Sequence, residues 1–566
     1  MFELLKRHFQ NGFRKFQSYN LQRAPADMTH KGSTPDTIEA VVCKKDDLKD
    51  GEMKQVEVGD GKVLLIREDG AFHAIGSKCS HYGAPLVKGA LCNSRVRCPW
   101  HGACFSIKTG DIEDFPGLDS VPIHEVIVRG NDVVVKASVD ALSKDRRMKT
   151  MHKCDSKDNR TFLIIGGGPS SVTCAETLRQ QGFCGKIVIA TREAHLPYDK
   201  PKLSKALDFA PAKIALRDAA FYSTYDIQLL NNKDAVKLNL AGKNVAFKDG
   251  DTISYDKLMI ATGGTPRTLD CPGSDLENIF VLRTPDDGNL IAERAKQKKV
   301  IIIGTSFIGM EVAAFLAGKA GSVSVIGHGN VPFERVLGAQ IGNAMMKLFV
   351  AKKVEFYMEN GVKEFVGHDG KLSKVILTSG EKLDADVCVV GAGVTPCTKL
   401  LNDSGLEMTD RGHVVVDKRM GSSNADVFAC GDIVVFPLFL CNDKRVNIQH
   451  WQMASQHGKV AAFNMLGTEK DICSVPYFWT AFFGKSVRYT GYAEGFDDII
   501  VCGNVENVDD LKFVAYFTKG NNVIAVASMN CDPIVSQAAE VMANCKVITK
   551  EEITSEHHSC WVAAKL

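Results

Sequence analysis

The sequence predicts a multidomain protein, with an all-β domain first, α/β domains after it and an α+β domain at the end. At 566 residues the chain is too long for a single hydrophobic core. From Ile38 to Val135 it consists of strand-like runs around short polar turns, which indicates hairpins. After Arg160, buried-strand runs alternate with helical stretches, the pattern of parallel α/β domains. From Val475 onward both kinds of element are mixed.

The composition is that of a globular protein, because 45% of the residues are hydrophobic and 24% are charged. A net charge of only +2 gives no reason to expect binding to nucleic acid. No apolar run approaches the ~18–20 residues of a membrane-spanning helix, so we expect no transmembrane span. The 18 cysteines are sparse for a disulfide framework, none are spaced C-x-x-C, and we expect no secretory leader. These features favour an intracellular, reducing compartment.

The first 35 residues have a separate character. Five Lys or Arg precede Ala24, against the single acid Glu3. Large apolar residues recur there at spacings of three and four, so a helix would place them on one face. Such a start predicts either a mitochondrial presequence or a basic amphipathic helix on a protein or membrane surface. The location is therefore expected to be the mitochondrion or the cytoplasm.

Two cysteine–histidine pairs suggest a metal site. Cys79 and His81 form C-x-H, and Cys98 and His101 form C-x-x-H. Zinc ligands usually come as C-x2–4-C or H-x3–5-H pairs, because both must reach one ion. An iron–sulfur cluster with two thiolates on one iron and two imidazoles on the other needs one Cys and one His from each loop. The spacing favours such a cluster over zinc or over unligated side chains.

The stretch CSHYGAPL…CPWHGACFSIKTGD resembles the Rieske [2Fe–2S] ferredoxin family over roughly residues 36–138. High-potential members carry an extra cysteine in each loop and hydroxyl residues that hydrogen-bond to the cluster. The corresponding positions here are Ala84, Trp100, Ala103 and Phe105. Because fewer hydrogen-bond donors would face the cluster, the resemblance implies a reduction potential low in the Rieske range.

An internal repeat predicts two nucleotide-binding turns. TFLIIGGGPSSVTCAETLRQQGF and KVIIIGTSFIGMEVAAFLAGKAG are two versions of one strand–glycine turn–helix unit. In the first, Gly166 permits the turn and Gly168 lets the backbone approach a pyrophosphate at the helix N-terminus. Ser171 takes the third glycine position, and Glu193 follows the next strand, where an acid binds ribose hydroxyls.

Two later segments support a flavin site. ATGG closes a strand with Ala261, Thr262 and Gly263, and Asp432 in VFACGDI is suited to hydrogen-bond a ribityl chain. The order of these motifs favours FAD over a glycine-rich turn without a cofactor.

The second turn is less regular. Gly304 and Gly309 are present, but Ser306 replaces the middle glycine, and no acid occurs between Glu311 and Glu334. NAD and NADP are therefore both open. The turn either binds a nicotinamide dinucleotide or is a degenerate site that only folds.

Residues 161–566 resemble the ferredoxin-reductase-like flavoproteins of the pyridine nucleotide–disulfide oxidoreductase superfamily. With the Rieske-like domain in front, the chain is similar to the Rieske flavoproteins of the apoptosis-inducing factor 3 group. The motif LPYxRPxLSK of that group stands here as LPYDKPKLSK. The resemblance implies that Lys200 and Lys205 contact FAD and that Glu311 lies near Lys205 beside the flavin and the nicotinamide.

The same resemblance assigns two tryptophans. Trp451 in HWQMA would flank the isoalloxazine, and Trp479 would be the aromatic residue at the flavin edge. Ferredoxin reductases read close to W-S-D-Q there, whereas this chain reads WTAFF, so Ala481 replaces an acid. A dithiol mechanism is not expected, because the first helix after the glycine turn holds Cys174 alone.

The resemblances divide the chain into a basic N-terminal segment (1–35), a Rieske domain (36–138), a linker (139–160), an FAD-binding domain in two parts (161–295 and 416–474), an NAD(P)-binding domain (296–415) and a C-terminal reductase-type domain (475–566). They imply an NAD(P)H-dependent oxidoreductase that passes electrons through FAD to its own cluster and on to an acceptor the sequence does not identify. The alternative is a cell-death signalling protein in which the redox cofactors set conformation. A third interpretation is that the Rieske domain receives its electrons from outside and that the flavin site is vestigial.

Overall fold

A computed structural model describes residues 36–554, Ser559 and residues 561–566. The segment 1–35, for which the sequence predicts a presequence or a basic surface helix, lies outside the described residues. In the described part of the chain, no helix has the length and apolar character needed to cross a membrane.

The N-terminal domain is all-β, as predicted. Its larger sheet has six antiparallel strands, in the spatial order Thr37–Lys44, Asp132–Ser138, Ile123–Arg129, Ala71–Gly76, Gly61–Glu68 and Met53–Val58. The smaller sheet has four antiparallel strands in chain order: Ala90–Cys92, Arg95–Arg97, Cys104–Ser106 and Ile112–Asp114. Short 3-10 helices occupy Lys45–Asp47 and Leu86–Lys88.

The strand Gly61–Glu68 separates two cores. Side chains alternate between the faces of a strand. Val63 and Leu65 therefore pack in one core with Val133 of the larger sheet. Leu64 and Ile66 pack in the other core with Phe105 of the smaller sheet. Burial on both faces explains why this strand is apolar throughout rather than alternating. The loops of the smaller sheet, which hold the Cys–His pairs, lie on the second side.

The first α/β domain is built on a parallel sheet of five strands, in the order Ile227–Leu230, Lys186–Ala190, Thr161–Ile165, Lys257–Ile260 and Val427–Ala429. Its helices are Pro169–Gln180, Pro201–Lys205, Ala219–Thr224 and Trp451–Met465. Gly458 allows the first and last of these to pack closely, since a Cβ there would lie 2.1 Å from the Ser170 carbonyl oxygen. A three-stranded antiparallel sheet (Ala235–Asn239, Asn244–Phe247, Thr252–Ser254) and a three-stranded mixed sheet (Val414–Val415, Val434–Leu438, Lys444–Val446) flank it.

The second α/β domain repeats this plan. Its parallel sheet runs Ile279–Val281, Val387–Val390, Lys299–Ile303, Ser322–Ile326 and Val354–Tyr357, and its helices are Pro285–Arg294, Phe307–Leu316, Glu334–Leu337 and Ala339–Val350. A three-stranded antiparallel sheet comprises Val362–His368, Lys371–Leu377 and Lys382–Asp384. The two α/β domains are joined by a two-stranded sheet of Gly264–Pro266 and Val394–Pro396.

The C-terminal domain is α+β. Its five antiparallel strands run in the order Tyr477–Phe482, Lys485–Gly491, Asn522–Met529, Lys512–Lys519 and Asp498–Asn504. The helices Ile534–Ala543, Lys550–Thr554 and Trp561–Lys565 complete it.

Residues 139–160, for which the sequence predicts a linker, begin with the short helix Val139–Leu142 and then follow the surface of both neighbouring domains. Arg147 donates to the carbonyl oxygens of Thr109 and Val121 in the N-terminal domain. Further along, the Arg179 guanidinium of the first α/β domain donates to the Cys154 sulfur at 3.2 Å. The segment is thus hydrogen-bonded at both ends.

Candidate redox site

The two Cys–His loops have the same backbone geometry. The Cys79 N–H donates to the Ala84 carbonyl at 2.8 Å, and the Cys98 N–H donates to the Ala103 carbonyl at 2.7 Å. Each loop therefore closes across five residues. A glycine with positive φ stands in each turn at the residue before the acceptor, Gly83 and Gly102, at 76° and 75°, a conformation that glycine adopts without steric cost.

The four side chains divide into two adjoining pairs. The thiols of Cys79 and Cys98 are each 1% exposed, and the neighbouring Cys98, with burial, holds the pKa of Cys79 well above its usual range. The imidazoles of His81 and His101 lie with their centroids 5.0 Å apart. Burial lowers the pKa of His81 to about 3 and also lowers that of His101, so both rings are neutral. Among the described residues, no three Cys, His, Asp or Glu side chains are grouped to hold one metal ion.

The histidine side of these loops faces the C-terminal domain. The Trp479 ring centroid lies 4.8 Å from that of His101 and 5.9 Å from that of His81. Behind them the Tyr477 ring fills the space beside Gly102, where a Cβ would lie 2.6 Å from the ring. Ser536 donates to the Cys98 carbonyl oxygen at 2.8 Å. The cluster loops are therefore packed directly against the reductase-type domain.

At the first glycine turn, the structure provides room for a phosphate. Gly166 has φ 121°, and a Cβ there would lie 2.2 Å from the Ala261 carbonyl oxygen. Gly168 is the N-cap of the Pro169–Gln180 helix, and no atom lies within 4 Å of its Cβ position. Ser171 is fully buried inside this helix. The helix N-terminus thus faces open space bounded by the ATGG strand end.

A charged group lies beside this turn. The Lys200 ammonium is 3.2 Å from Glu193. Burial opposes ionisation of Glu193, but Lys200 and Tyr198 outweigh it and hold its pKa below the usual range. Burial lowers the pKa of Lys200 to about 8 and raises that of Asp432. These residues come from two separate segments, and Lys200 acts on both carboxylates, since its charge lowers the pKa of Glu193 and opposes the rise in that of Asp432.

Arg283 belongs to the same charged group, since its charge also lowers the pKa of Lys200, and it was not predicted from the sequence. Its guanidinium lies 2.9 Å from the Cβ position of Gly263, so the glycine makes room for it. Its charge opposes the rise in the pKa of Asp432, and its Nε is buried with no partner among the described side chains and backbone. In the sequence, Arg283 is a lone arginine between a short strand and the helix Pro285–Arg294, whose N-cap is Thr284.

The second glycine turn lies in the other α/β domain. Gly304 has φ 112°, and a Cβ there would lie 2.4 Å from the Gly391 carbonyl oxygen. A Cβ at Gly309 would lie 2.2 Å from the Gly304 carbonyl oxygen. Ser306 is the exposed N-cap of the Phe307–Leu316 helix. The two turns therefore belong to two separate clefts.

Glu311 on that helix joins three domains. The Lys205 ammonium lies 2.8 Å from its carboxylate, and Ser204 next to it donates a hydrogen bond to the same group. Thr480 of the C-terminal domain donates at 2.5 Å to Oε1 of Glu311, the oxygen that Lys205 also contacts, whereas Ser204 donates to Oε2. The pairing of Lys205 with Glu311 follows the resemblance, whereas Ser204 and Thr480 were not predicted.

Trp451 begins the helix Trp451–Met465 and is half-buried. With His81 and Pro169 it lines a cleft of about 100 Å³ between the cluster loops and the first α/β domain. His450 before it is half-buried, and burial of its ring lowers the pKa to about 4. The tryptophan thus lies between the cluster loops and the first glycine turn.

Comparison with known proteins gives a family for each part of the chain. Residues 160–458 match the pyridine nucleotide-disulphide oxidoreductase family, residues 39–125 the Rieske [2Fe-2S] domain, and residues 477–559 the reductase C-terminal domain. The chain belongs to the pyridine nucleotide-disulphide oxidoreductase family. It is an NAD(P)H-dependent flavoprotein oxidoreductase fused to a Rieske domain.

Named relatives agree with this assignment. Apoptosis-inducing factor 3 of Homo sapiens is 51% identical over 526 residues, which cover 92% of this chain and 86% of the human protein. Rubredoxin-NAD(+) reductase of Pseudomonas putida is 32% identical over 65% of this chain and 95% of its own. Among solved structures, a ferredoxin reductase for the CYP199A2 system of Rhodopseudomonas palustris is similar, with a TM-score of 0.68 at 27% identity, covering 72% of this chain and all of that one.

The flavoprotein's side chains fit the cofactors of its family, which are FAD, a Rieske [2Fe–2S] cluster and NAD(P)H. The family match favours the cluster over zinc, and the two thiols and two imidazoles fit its division of ligands. The Nδ1 atom of His81 is buried without a partner among the described residues, and the ring is neutral, so a lone pair is free for iron. The open space at Gly168 fits a pyrophosphate of FAD.

Proposed function

We propose that this flavoprotein carries electrons from a nicotinamide dinucleotide through FAD to its own Rieske cluster, and from there to a separate one-electron acceptor. The strand Tyr477–Phe482 supports this most directly. Successive side chains of a strand point to opposite faces. Trp479 contacts the imidazoles of His101 and His81, while the next residue, Thr480, donates to Glu311. One strand therefore connects the cluster site with the nicotinamide side of the flavin site.

The residues around the flavin have assigned roles in this proposal. When bound, FAD supplies the chemistry that accepts a hydride from the nicotinamide and releases electrons singly. Lys205 and Glu311 would orient the flavin and the nicotinamide, since their 2.8 Å pair holds the two charged groups together. Trp451 and Trp479 exclude water between the flavin site and the cluster loops.

The remaining predicted residues hold the cofactors. Gly166, Gly168 and Ser171 form the pyrophosphate turn, Glu193 binds ribose hydroxyls, and Asp432 bonds the ribityl chain. Ala261, Thr262 and Gly263 close the flavin pocket, and Lys200 with Arg283 supplies positive charge to it. Gly304 and Gly309 form the nicotinamide dinucleotide turn. Cys79, His81, Cys98 and His101 hold the cluster.

The test is to add NADH and NADPH separately to the oxygen-free holoprotein and to follow flavin bleaching together with low-temperature EPR. The proposal expects prompt bleaching and a rhombic signal from the reduced cluster with at least one nucleotide. A bleached flavin beside a cluster that stays oxidised would overturn the intrachain relay.

A second candidate is a role in cell-death signalling, in which the cofactors set conformation. It is favoured by the name of the relative that is 51% identical to this chain. Steady turnover with a one-electron acceptor separates the two, because a signalling protein of this kind would be reduced slowly and remain reduced. Turnover at a typical enzyme rate of about 1–1,000 per second supports the relay.

We also propose an intracellular location in a reducing compartment, either the mitochondrion or the cytoplasm. Its support is that the 17 cysteines in the described part of the chain are all free. Fractionation of cells that express the full chain, and the same chain without residues 1–35, tests whether this segment directs it to mitochondria.

A further inference from the structure

Tyr82 crosses the boundary between the Rieske domain and the FAD-binding domain. It follows the predicted cluster ligand His81, and the two rings are stacked, with centroids 3.8 Å apart and planes within 16° of parallel. The Tyr82 hydroxyl donates a hydrogen bond to the Asp199 carboxylate. Lys202 lies over the Tyr82 ring at 4.9 Å, and its ammonium is 3.3 Å from Asp199. The imidazole, the phenol and the carboxylate thus form a continuous chain of contacts between domains.

Asp199 belongs to the segment LPYDKPKLSK that also borders the flavin site. Its neighbour Lys200 contacts Glu193 on the flavin side, whereas Asp199 contacts the cluster loop. The side chain of Asp199 is 10% exposed, so a hydrogen bond to it is largely shielded from water. Adjacent residues of this short segment therefore contact the cluster loop and the predicted flavin site.

We infer that Asp199 is a positioning residue for electron transfer, because its hydrogen bond to Tyr82 fixes the cluster ligand His81 relative to the flavin. The inference rests on the proposed function. Electron transfer weakens steeply with distance, so its rate follows the fraction of molecules in which this contact is made. Other boundary contacts remain when the bond is removed: Arg217 lies 2.7 Å from Asp119, and Arg97 lies 2.6 Å from Glu540. The variants are therefore expected to fold.

The variants Tyr82→Phe and Asp199→Ala remove the hydrogen bond from its two sides. Tyr82→Phe keeps the ring that stacks on His81. A hydrogen bond to a charged group corresponds to about a tenfold to hundredfold change in equilibrium. We expect cluster reduction after mixing with NADH to slow by that factor in both variants, with flavin bleaching unchanged. The double variant should be no slower than Asp199→Ala alone, since that variant already removes the hydrogen bond that Tyr82→Phe removes.

A second readout does not depend on activity. Hydrogen exchange of the loop amides between Cys79 and Ala103 reports local opening, and it should speed up in both variants to a similar degree. Asp199→Asn retains an acceptor oxygen and should recover most of the wild-type behaviour. Asp384→Ala is the matched control, because this carboxylate pairs with Lys299 at 2.8 Å within one domain.

The outcomes separate this inference from the proposed function. If wild-type flavin bleaches but the cluster is never reduced, the proposed function fails. If wild type relays electrons and Tyr82→Phe behaves like the Asp384→Ala control in both readouts, Asp199 does not act through Tyr82 and the inference alone fails. Slowed flavin bleaching in Asp199→Ala with an unaffected Tyr82→Phe would assign Asp199 to the flavin site instead.

Discussion

Arg97 of the Rieske domain and Glu540 of the C-terminal domain form a fully buried ion pair, with the guanidinium Nε 2.6 Å from the carboxylate. Arg97 also lies 2.8 Å from Asp114, and Arg95 lies 2.7 Å from the second oxygen of Glu540. Burial opposes ionisation of Asp114, but Arg97, Arg95 and the hydrogen bond from Ser474 together outweigh it and lower the pKa of Asp114 to about 2. The group is charged and mutually neutralised, which is the condition under which buried charges are tolerated. Two domains far apart in sequence are joined at this point.

Removing Glu540 should therefore destabilise the docked arrangement. Glu540→Ala leaves Arg95 and Arg97 with one fewer carboxylate, and breaking a buried pair costs about 3–5 kcal/mol. Urea unfolding followed by the visible absorbance of the cluster measures the loss. Glu506→Ala is the control, since Glu506 is 78% exposed and pairs with the exposed Lys347; it should change stability by less than about 1 kcal/mol. Equal losses in the two variants would contradict the assigned role.

Candidate cluster ligands could be proposed from the sequence because they are close in sequence. Cys79 and His81 are separated by one residue, and the division of ligands in a Rieske cluster requires such pairs. The glycine turns were predictable for a similar reason, since a strand, a turn and a helix are consecutive. The fold class of every domain follows from such local patterns and is confirmed by the family matches.

The contacts between domains were not predictable in this way. Thr480 donates to a carboxylate 169 residues away, and Arg97 pairs with one 443 residues away. Arg283 lies next to Gly263 only because a short strand and a helix bring it there. No local pattern marks these partners, because only the packing of whole domains selects them. The predicted ligand and flavin roles of individual residues stay predictions until variants are measured.

His81→Ala should remove the Rieske signal without affecting the flavin. The iron that would take this imidazole loses one of its two protein ligands, so the characteristic EPR spectrum should disappear, while NADH still bleaches the flavin. His73→Ala is the control, as it removes a half-buried imidazole from the strand Ala71–Gly76 of the same domain. A Rieske spectrum that survives in His81→Ala would disprove the ligand assignment.

Thr480→Val should slow flavin reduction while the cluster remains intact. The change keeps the volume of the side chain but removes the hydroxyl that donates to the buried Glu311 carboxylate. A hydrogen bond to a charged group contributes about 1.5–3 kcal/mol, so the rate of flavin bleaching by NADH should fall about tenfold or more. Thr490→Val is the matched control, because it removes a threonine hydroxyl from the same sheet, one that donates to the Pro476 carbonyl oxygen. An equal slowing in both variants would point to a general loss of packing.

His457 should make the FAD-binding domain sensitive to acid. The ring is fully buried, and its Nδ1 accepts a hydrogen bond from the Gly431 N–H at 3.2 Å, next to Asp432. Burial lowers the pKa of His457 to about 3, against about 6.5 in an unfolded chain. Between these two values the unfolded state binds the additional proton, so stability falls as the pH falls from about 6.5 toward 3.

The stabilising effect of a neutral His457 is complete above about pH 6.5 and diminishes by up to about 1.4 kcal/mol per pH unit below it. Unfolding free energy and FAD retention, measured by flavin fluorescence at pH 7, 6 and 5, should both decline in wild type. In His457→Asn this position no longer titrates, so the stability difference between wild type and variant should narrow as the pH falls. His368→Asn, at a side chain that is 82% exposed, should keep the wild-type slope. A difference between wild type and His457→Asn that stays constant from pH 7 to pH 5 would mean that the buried ring does not control the acid response.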